Sequence, residues 1–415
     1  YWDMRYPEKR VSRREGAAAM YRFTETAVDR ALAGASPNEV GAFLSGGTDS
    51  STLVGLMSRS TRQTVNAFSI GFSDDAYNEL GYAELAAREF GAVHRTKTVT
   101  PEAAFALLPR LVEAYDEPFG NNSAIGTLVC VELAREHGVE RMLAGDGGDE
   151  IFGGNERYRT DRIFGLYHGV PGILRRGVIE PIVQNLPDGG ASILGRAQRY
   201  IRRANLPNPR RFFSYEFYFA TEAARLFAPG FLEAIDRDAP YRMTQAPYDG
   251  VETVSELNRL LYLDLKLAIG DNDLFKVTRT AELAGVNVRF PMLDLDLVEF
   301  TGSLPAALKV RGLEKRYLFK RAFRELLPRE ILAKRKHGFG VPTSRWLRDH
   351  AQFRELAGDT LLSVRCLERG IFRPGAIAEL IDWHQRESSP YFGDLLWRIL
   401  MFELWHRGHV EGAAA

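Results

Sequence analysis

Residues 44–51 read LSGGTDSS, with two adjacent glycines set among hydroxyl residues and one carboxylate. Gly46 and Gly47 tolerate dihedrals that other residues avoid, and they let backbone N–H groups approach a ligand with no Cβ in the way. Thr48, Asp49, Ser50 and Ser51 then open the apolar helical run TLVGLMSR. The dipole and free N–H groups of that helix start favour an anion, and the hydroxyls of Ser45, Thr48, Ser50 and Ser51 add donors. A polyphosphate suits the turn except at Asp49, which sets a carboxylate beside it. A divalent cation between the two removes the conflict, because Mg2+ binds through one or two carboxylates plus phosphate oxygens. An Asp/Ser helix cap after a glycine turn is the plainer reading and needs no ligand. The Walker pattern G-x-x-x-x-G-K-[ST] has no match in the chain.

A second cluster, LAGDGGDE at 143–150, gathers Asp146, Asp149 and Glu150 among glycines. Alone it reads as an acidic surface turn; together with Asp49 it makes a two-sided metal site. The run KRKHGFG at 334–340 contains Lys336. Charge runs are commonly solvated faces, but the Gly-Phe-Gly that follows points to a fixed loop. His337 beside it reads as a structural donor rather than a base.

The elements that must position these groups follow from periodicity. Short apolar runs at Val40–Leu44, Val65–Phe72, His94–Val99 and Arg141–Ala144 alternate with helix-length segments Ser50–Ser60, Glu79–Phe90, Pro101–Tyr115 and Ser123–Glu136. In the third helix Phe105, Leu108, Val112 and Tyr115 share one face. This alternation predicts a doubly wound parallel α/β sheet, in which ligands sit at the carboxyl ends of the strands. Both glycine-rich acidic turns begin where predicted strands end. The expected organisation is a linker over 1–35, an α/β core over 36–153, a helical basic and aromatic insertion over 154–255, and a largely helical C-terminal part over 256–415. The insertion carries Arg175–Arg176, Arg202–Arg203, Arg210–Arg211 and the run RRFFSYEFYF. Those residues suit a nucleic acid or a large anion, yet amphipathic helices with solvated arginines are the favoured reading. From Leu257 helical periodicity resumes to about Leu347, and again from Ala376 to Trp405.

Composition narrows the function. With 54 Lys+Arg against 54 Asp+Glu the formal charge is zero, which removes the electrostatic case for a general nucleic-acid or membrane-surface binder. Cys130 and Cys366 are far apart and lack metal-ligand partners, so neither a disulfide framework nor a zinc site is expected, and a reducing cytoplasm fits best. Apolar stretches are broken by charge before the ~20 residues of a membrane span. The chain opens on Tyr1 rather than Met, from which an upstream piece is expected.

The turn LSGGTDSS resembles the S-G-G-x-D-S-S pyrophosphate loop of the N-type ATP pyrophosphatases, which form acyl-adenylates. AFSIGF at 67–72 resembles the strand whose main chain reads adenine there, and YNEL at 77–80, with Glu79, its following acidic turn. YDEPFGNNSAI at 115–125 is similar to the family's D-E-P segment. LAGDGGDEIFGG at 143–154 is similar to S-G-[DE]-G-[SG]-D-E-x-F-G-G, while FKVTRTAELAGVNVRFPMLD at 275–294 and RKHGFG at 335–340 resemble two later signatures. In this order, over about Tyr1 to Leu347, they identify the chain as a member of the asparagine synthetase family, in its C-terminal synthetase domain.

That resemblance implies an adenine-nucleotide α-hydrolase-like fold of the HUP type, with ATP bound by Leu44, Ser45, Gly46, Gly47, Thr48, Asp49, Ser50, Ser51, Ile70, Ala144 and Gly145. It assigns Mg2+ to Asp49 and Asp149 and places Asp146 at the family's active-site acidic position. Lys336 matches the lysine that stabilises developing negative charge. Glu79, Glu117, Ser123, Glu150 and Arg289 are weaker candidates for the substrate, since Asp-Glu-Pro also stops a helix and Arg289 suits packing equally. The implied reaction adenylates a carboxylate, releases pyrophosphate and lets ammonia displace AMP. Ammonia in the family comes from an N-terminal glutaminase domain, which is expected upstream of Tyr1 in a longer protein; YWDMRYPEKR resembles the linker after it, and a homodimer is left open. Two departures stand out. Thr278 replaces a common Asp, and Asn287 a usual Glu, which argues against the ring-closing β-lactam and carbapenam synthetases and leaves aspartate in doubt as substrate. An asparagine synthetase-like enzyme amidating another carboxylate, in polysaccharide or peptide biosynthesis, is the alternative. A nucleotide-binding scaffold without catalysis is the reading from another class.

Overall fold

The computed structural model describes residues 2–61, 63–185, 193–214, 219–334, 340–386 and 390–412. Five parallel strands, β1 (Val40–Phe43), β2 (Asn66–Phe72), β3 (Val93–Val99), β4 (Arg141–Leu143) and β5 (Asn287–Arg289), form one sheet in the order β3-β2-β1-β4-β5. Strands β1, β2 and β3 step outward in one direction and β4 and β5 in the other. The order therefore reverses between β1 and β4, and a crevice opens at their carboxyl ends. Register pairs Ala42 with Ala67 on one side and with Leu143 on the other. This is the doubly wound α/β fold that the alternation predicts.

Side chains alternate across the sheet as the pleat requires. Ala42 and Ala67 face the core built with helices α2 (Thr48–Thr61) and α3 (Leu80–Phe90), and that core also takes in α1 (Arg13–Leu32). Phe68 and Met142 face the opposite side, against Val131 and Ala134 of α5 (Ser123–Glu136) and Ala281 of the helix Leu274–Ala284. Helix α4 (Pro101–Ala114) buries Ala104, Leu107, Leu108 and Leu111, while Phe105 and Val112 pack at the margin. The apolar stripe is thus rotated from the one read off the sequence, because C-terminal helices cover this flank. Trp346, Phe353, Leu395 and Leu400 join Phe72, Val99, Leu111 and Leu128 in one cluster, so the C-terminal part completes the core beside β3.

Strand β5 falls inside a stretch that reads as helical. Three residues are too few to show a period of two; pairing with β4, Arg141 to Asn287, makes it a strand. The N-terminal residues are packed rather than free. Met4 and Tyr6 are buried, the Lys9 amide donates to Ser303 O at 2.7 Å, and Asp3 takes a hydrogen bond from the Tyr262 hydroxyl at 2.8 Å. Helix α1 then starts on a capping box of Ser12 and Glu15.

In the arginine pairs of the middle segment, Arg175, Arg203, Arg210 and Arg211 have internal partners, while Arg176 and Arg202 are exposed. Arg211 pairs with Asp161 at 2.7 Å, Arg175 with Glu180 at 3.4 Å, Arg203 donates to Ser214 at 2.9 Å, and Arg210 lies 4.4 Å from the Tyr241 ring centre. Of the aromatic run, residues 215–218 lie outside the described residues. No helix among the described residues is long and apolar enough to cross a membrane.

Phe353 is fully buried between Trp346 and Phe105, with ring centres at 5.5 and 5.4 Å. Its replacement by alanine is expected to cost about 3–5 kcal/mol. Denaturant unfolding should still show one transition, since the cluster joins α4 to the C-terminal helices.

Candidate active site

The turn after β1 is held by its own hydroxyls. Ser50 Oγ lies 3.2 Å from the Ser45 amide and 3.1 Å from Ser45 Oγ, the Gly47 amide donates to Ser45 Oγ at 3.3 Å, and Thr52 returns to Thr48 O at 2.7 Å. Gly46 has φ +67, and a Cβ there would stand 2.5 Å from the Ala83 nitrogen. Two demands meet at this residue: a left-handed backbone and close passage of the start of α3. Leu44, Ser45, Gly47, Thr48, Asp49 and Ser50 line a cavity of about 1330 Å³ at the switch point. Gly46 and Ser51 do not. Ser51 is fully buried, and its Oγ is among the buried polar atoms without a partner.

Across the crevice Gly145, Asp146, Asp149 and Glu150 line the same cavity. Burial pushes the Asp146 carboxyl up to about 6 against the pull of Lys276, and Asp273 raises it further. Lys276, itself buried, donates to Asp273 at 2.8 Å and also faces the cavity. Burial likewise lifts Glu150 to about 8, aided by the charge of Asp264. Asp146 is therefore a carboxylate at neutral pH, yet far more basic than an exposed one.

Asp49 and Asp149 face one another across Arg316. The guanidinium binds both Asp49 oxygens, and its Nε lies 3.1 Å from Asp149 Oδ1. A cation thus stands between the two carboxylates assigned to Mg2+ by resemblance. Among the described residues no group of three or more metal-ligating side chains occurs. Two facing carboxylates and an open side toward the phosphate turn nonetheless suit Mg2+, which takes few protein ligands and completes its shell with phosphate and water.

Lys334 closes the turn from the other side. Its ammonium donates to Ser45 O at 3.2 Å, pairs with Glu79 at 3.3 Å and lies 4.6 Å from the Tyr82 ring centre. Burial lowers its pKa, and Glu79 opposes that shift.

A family model described as asparagine synthase matches residues 21–407. The chain belongs to the asparagine synthase family. A Mycobacterium tuberculosis protein named for asparagine synthetase (glutamine-hydrolyzing) is 29% identical over 376 residues, covering 90% of this chain and 55% of its own length. Asparagine synthetase (glutamine-hydrolyzing) 1 of Bacillus subtilis is 24% identical over 380 residues, covering 90% and 56%. Amidase chyE of Penicillium rubens is 21% identical over 391 residues, covering 83% and 56%. The chain spans about half the length of these relatives, 55% to 56%.

Not every position that the asparagine synthase resemblance suggested reaches the cavity. Ile70, Glu79 and Ser123 line it, the last with its hydroxyl 2.6 Å from Asn121 Oδ1. Glu117 and Arg289 are exposed and lie outside its wall. Ala144 is buried in the sheet, its amide donating to Arg289 O at 2.9 Å. Thr278 Oγ1 returns to its own helix at Leu274 O, 2.7 Å away, and Asn287 is exposed on β5; neither departure lines the cavity. Lys336 and His337 lie outside the described residues, although Lys334 and Gly340 on either side both line the wall. Sequence reading missed Lys276, Arg316 and Lys334. Lys334 stands in the very run that drew attention to Lys336, and Lys276 inside the signature at 275–294 that drew attention to Thr278, whereas Arg316 sits in turn sequence with no motif to mark it.

Gly46→Ala is expected to lower stability by about 2 kcal/mol or more, from the left-handed backbone and the clash with α3. A phosphate-holding turn is expected to give the unaltered chain a rise in melting temperature with pyrophosphate, and the substitution should abolish it, read by thermal unfolding with and without that ligand.

Proposed function

We propose that this chain is the amide-forming part of an ATP-dependent synthetase that adenylates a carboxylate and then transfers ammonia to it, with aspartate as the first candidate. The observation that carries the proposal is the meeting, in one switch-point cavity, of the Ser45–Ser50 turn with Asp146 and the Asp49–Asp149 pair. Adenine would lie against Leu44 and Ile70, with the β- and γ-phosphates on the turn. The substrate carboxylate attacks the α-phosphorus, the bond to the β-phosphate breaks, and pyrophosphate leaves. Mg2+ held by Asp49 and Asp149 would neutralise the departing phosphates. The amine then attacks the acyl carbon and displaces AMP.

Asp146, raised to about 6 by burial, suits acceptance of the proton that the attacking amine must lose. Lys336 is proposed, by family resemblance, to meet the negative charge of the tetrahedral intermediate. Relatives that the match covers to only 55% and 56% of their length carry a glutamine-hydrolyzing name, which supports glutamine as the ammonia source of the whole protein.

A second reading keeps the adenylation and changes the acceptor. It is favoured by the cavity of about 1330 Å³, above the ~300–1,000 Å³ of most small-ligand sites, and by the resemblance to a protein named as an amidase. Incubating the full-length protein with ATP, Mg2+, glutamine and aspartate should yield AMP, pyrophosphate and asparagine, each measured separately. Pyrophosphate without asparagine would select the second reading. No AMP with any carboxylate would reject adenylation and leave a nucleotide-binding scaffold.

Asp146→Asn should retain ATP binding and lower amide formation by about 10²-fold or more. In the unaltered enzyme the base form is lost as pH falls through about 6, so the rate of the amide-forming step should decline on that side. The Asn variant should show no such limb.

A further inference from the structure

We propose that Arg316 is a resident counter-cation for the metal carboxylates, which a metal ion displaces only when polyphosphate gives the guanidinium another anion. The proposal rests on the polyphosphate and metal reading of the cavity. Its basis is the clamp itself: one guanidinium, only 7% exposed, joins Asp49 of the turn after β1 to Asp149 of the turn after β4. Without a cation between them the two carboxylates would repel one another across the crevice.

The backbone is arranged around this contact at some cost. Arg316 adopts φ 55 and ψ 37, a left-handed conformation that costs a side-chain-bearing residue about 1–2 kcal/mol. Gly154 is bare where a Cβ would overlap both Asp149 Oδ1 and Arg316 Nε, and a Cβ on Gly148 would fall 2.6 Å from Asp49 Cγ. A strained residue and two close glycine approaches serve the same three charged groups.

The cavity also supplies the alternative. Arg316 lines it together with Lys315, Lys320 and the Ser45–Ser50 turn. A guanidinium pairs with phosphate in the same two-pronged manner as with carboxylate. Metal arriving alone must break the clamp and leave the guanidinium without an anion. Metal arriving with polyphosphate frees the carboxylates as the guanidinium moves to phosphate oxygens, so each ligand strengthens the other's binding. The two turns are held at their working separation beforehand, and metal loading is tied to the nucleotide.

The test is Mn2+ binding to the metal-free chain, by electron paramagnetic resonance or calorimetry, with and without inorganic pyrophosphate. Arg316→Met and Arg316→Gln are expected to bind Mn2+ alone about tenfold or more tightly than the unaltered chain, and to show less strengthening by pyrophosphate. The gain should vanish when Asp49→Asn is added. Variants that bind Mn2+ alone no more tightly than the unaltered chain would overturn the proposal, as would a gain that survives Asp49→Asn. If neither neutral variant shows a cooperative thermal transition, Arg316→Lys decides. Its single ammonium should give tighter Mn2+ binding than arginine, and equal or weaker binding overturns the proposal. Because no turnover is read, an inactive chain that still gains Mn2+ affinity counts against the synthetase reading alone. An active chain with unchanged affinity counts against Arg316 alone.

Discussion

Parallel pairing of β1 with β2 on one edge and with β4 on the other is the constraint on which the site depends. Gly41 and Ala42 are hydrogen-bonded into both neighbours, which fixes the carboxyl ends of β1 and β4 side by side. The chain leaves β1 toward α2 and leaves β4 toward the short helix Gly148–Phe152. Two turns separated by about a hundred positions in sequence thereby become opposite lips of one crevice. Neither has to be long to reach the other, because the strand spacing brings them together.

The crevice then gathers far more charge than a buried space normally holds. Asp146 and Glu150 are raised by burial, Lys320 and Lys334 are lowered by it, and Arg316 joins carboxylates from both lips. Burial disfavours both signs of charge alike, so the site is paired by contact: Lys276 with Asp273, Lys334 with Glu79, Arg316 with Asp49 and Asp149.

Packing outside the sheet decides which candidates reach this space. Ser51 belongs to the same motif as Ser50, yet the ~100° rotation from one helix position to the next carries its hydroxyl into the core. Arg289 and Asn287 lie on β5 and face away from the crevice. The departures at Thr278 and Asn287 left aspartate in doubt as substrate when read along the chain; in space one hydroxyl is tied to its own helix and the other side chain is exposed. Motif membership and site membership are different properties, separated by the direction of a Cα–Cβ bond.

Alternation of apolar runs with amphipathic helices, and glycine-rich acidic turns at strand ends, were enough to establish the doubly wound class, four of the five strands and the glycine-rich turn at Ser45–Ser50. These are local properties, written in periods of two and 3.6 residues and in the dihedral freedom of glycine. Strand β5, the covering of α4 by the C-terminal helices, and the basic groups Lys276, Arg316 and Lys334 were decided only by the tertiary structure. Apart from Lys276, whose partner Asp273 is three residues away, each depends on a contact with a partner remote in sequence: β4 for β5, Trp346 and Phe353 for α4, Glu79 for Lys334, Asp49 and Asp149 for Arg316. An arginine in a turn has no periodicity to betray it, and its role exists only once the fold has brought two distant carboxylates within reach.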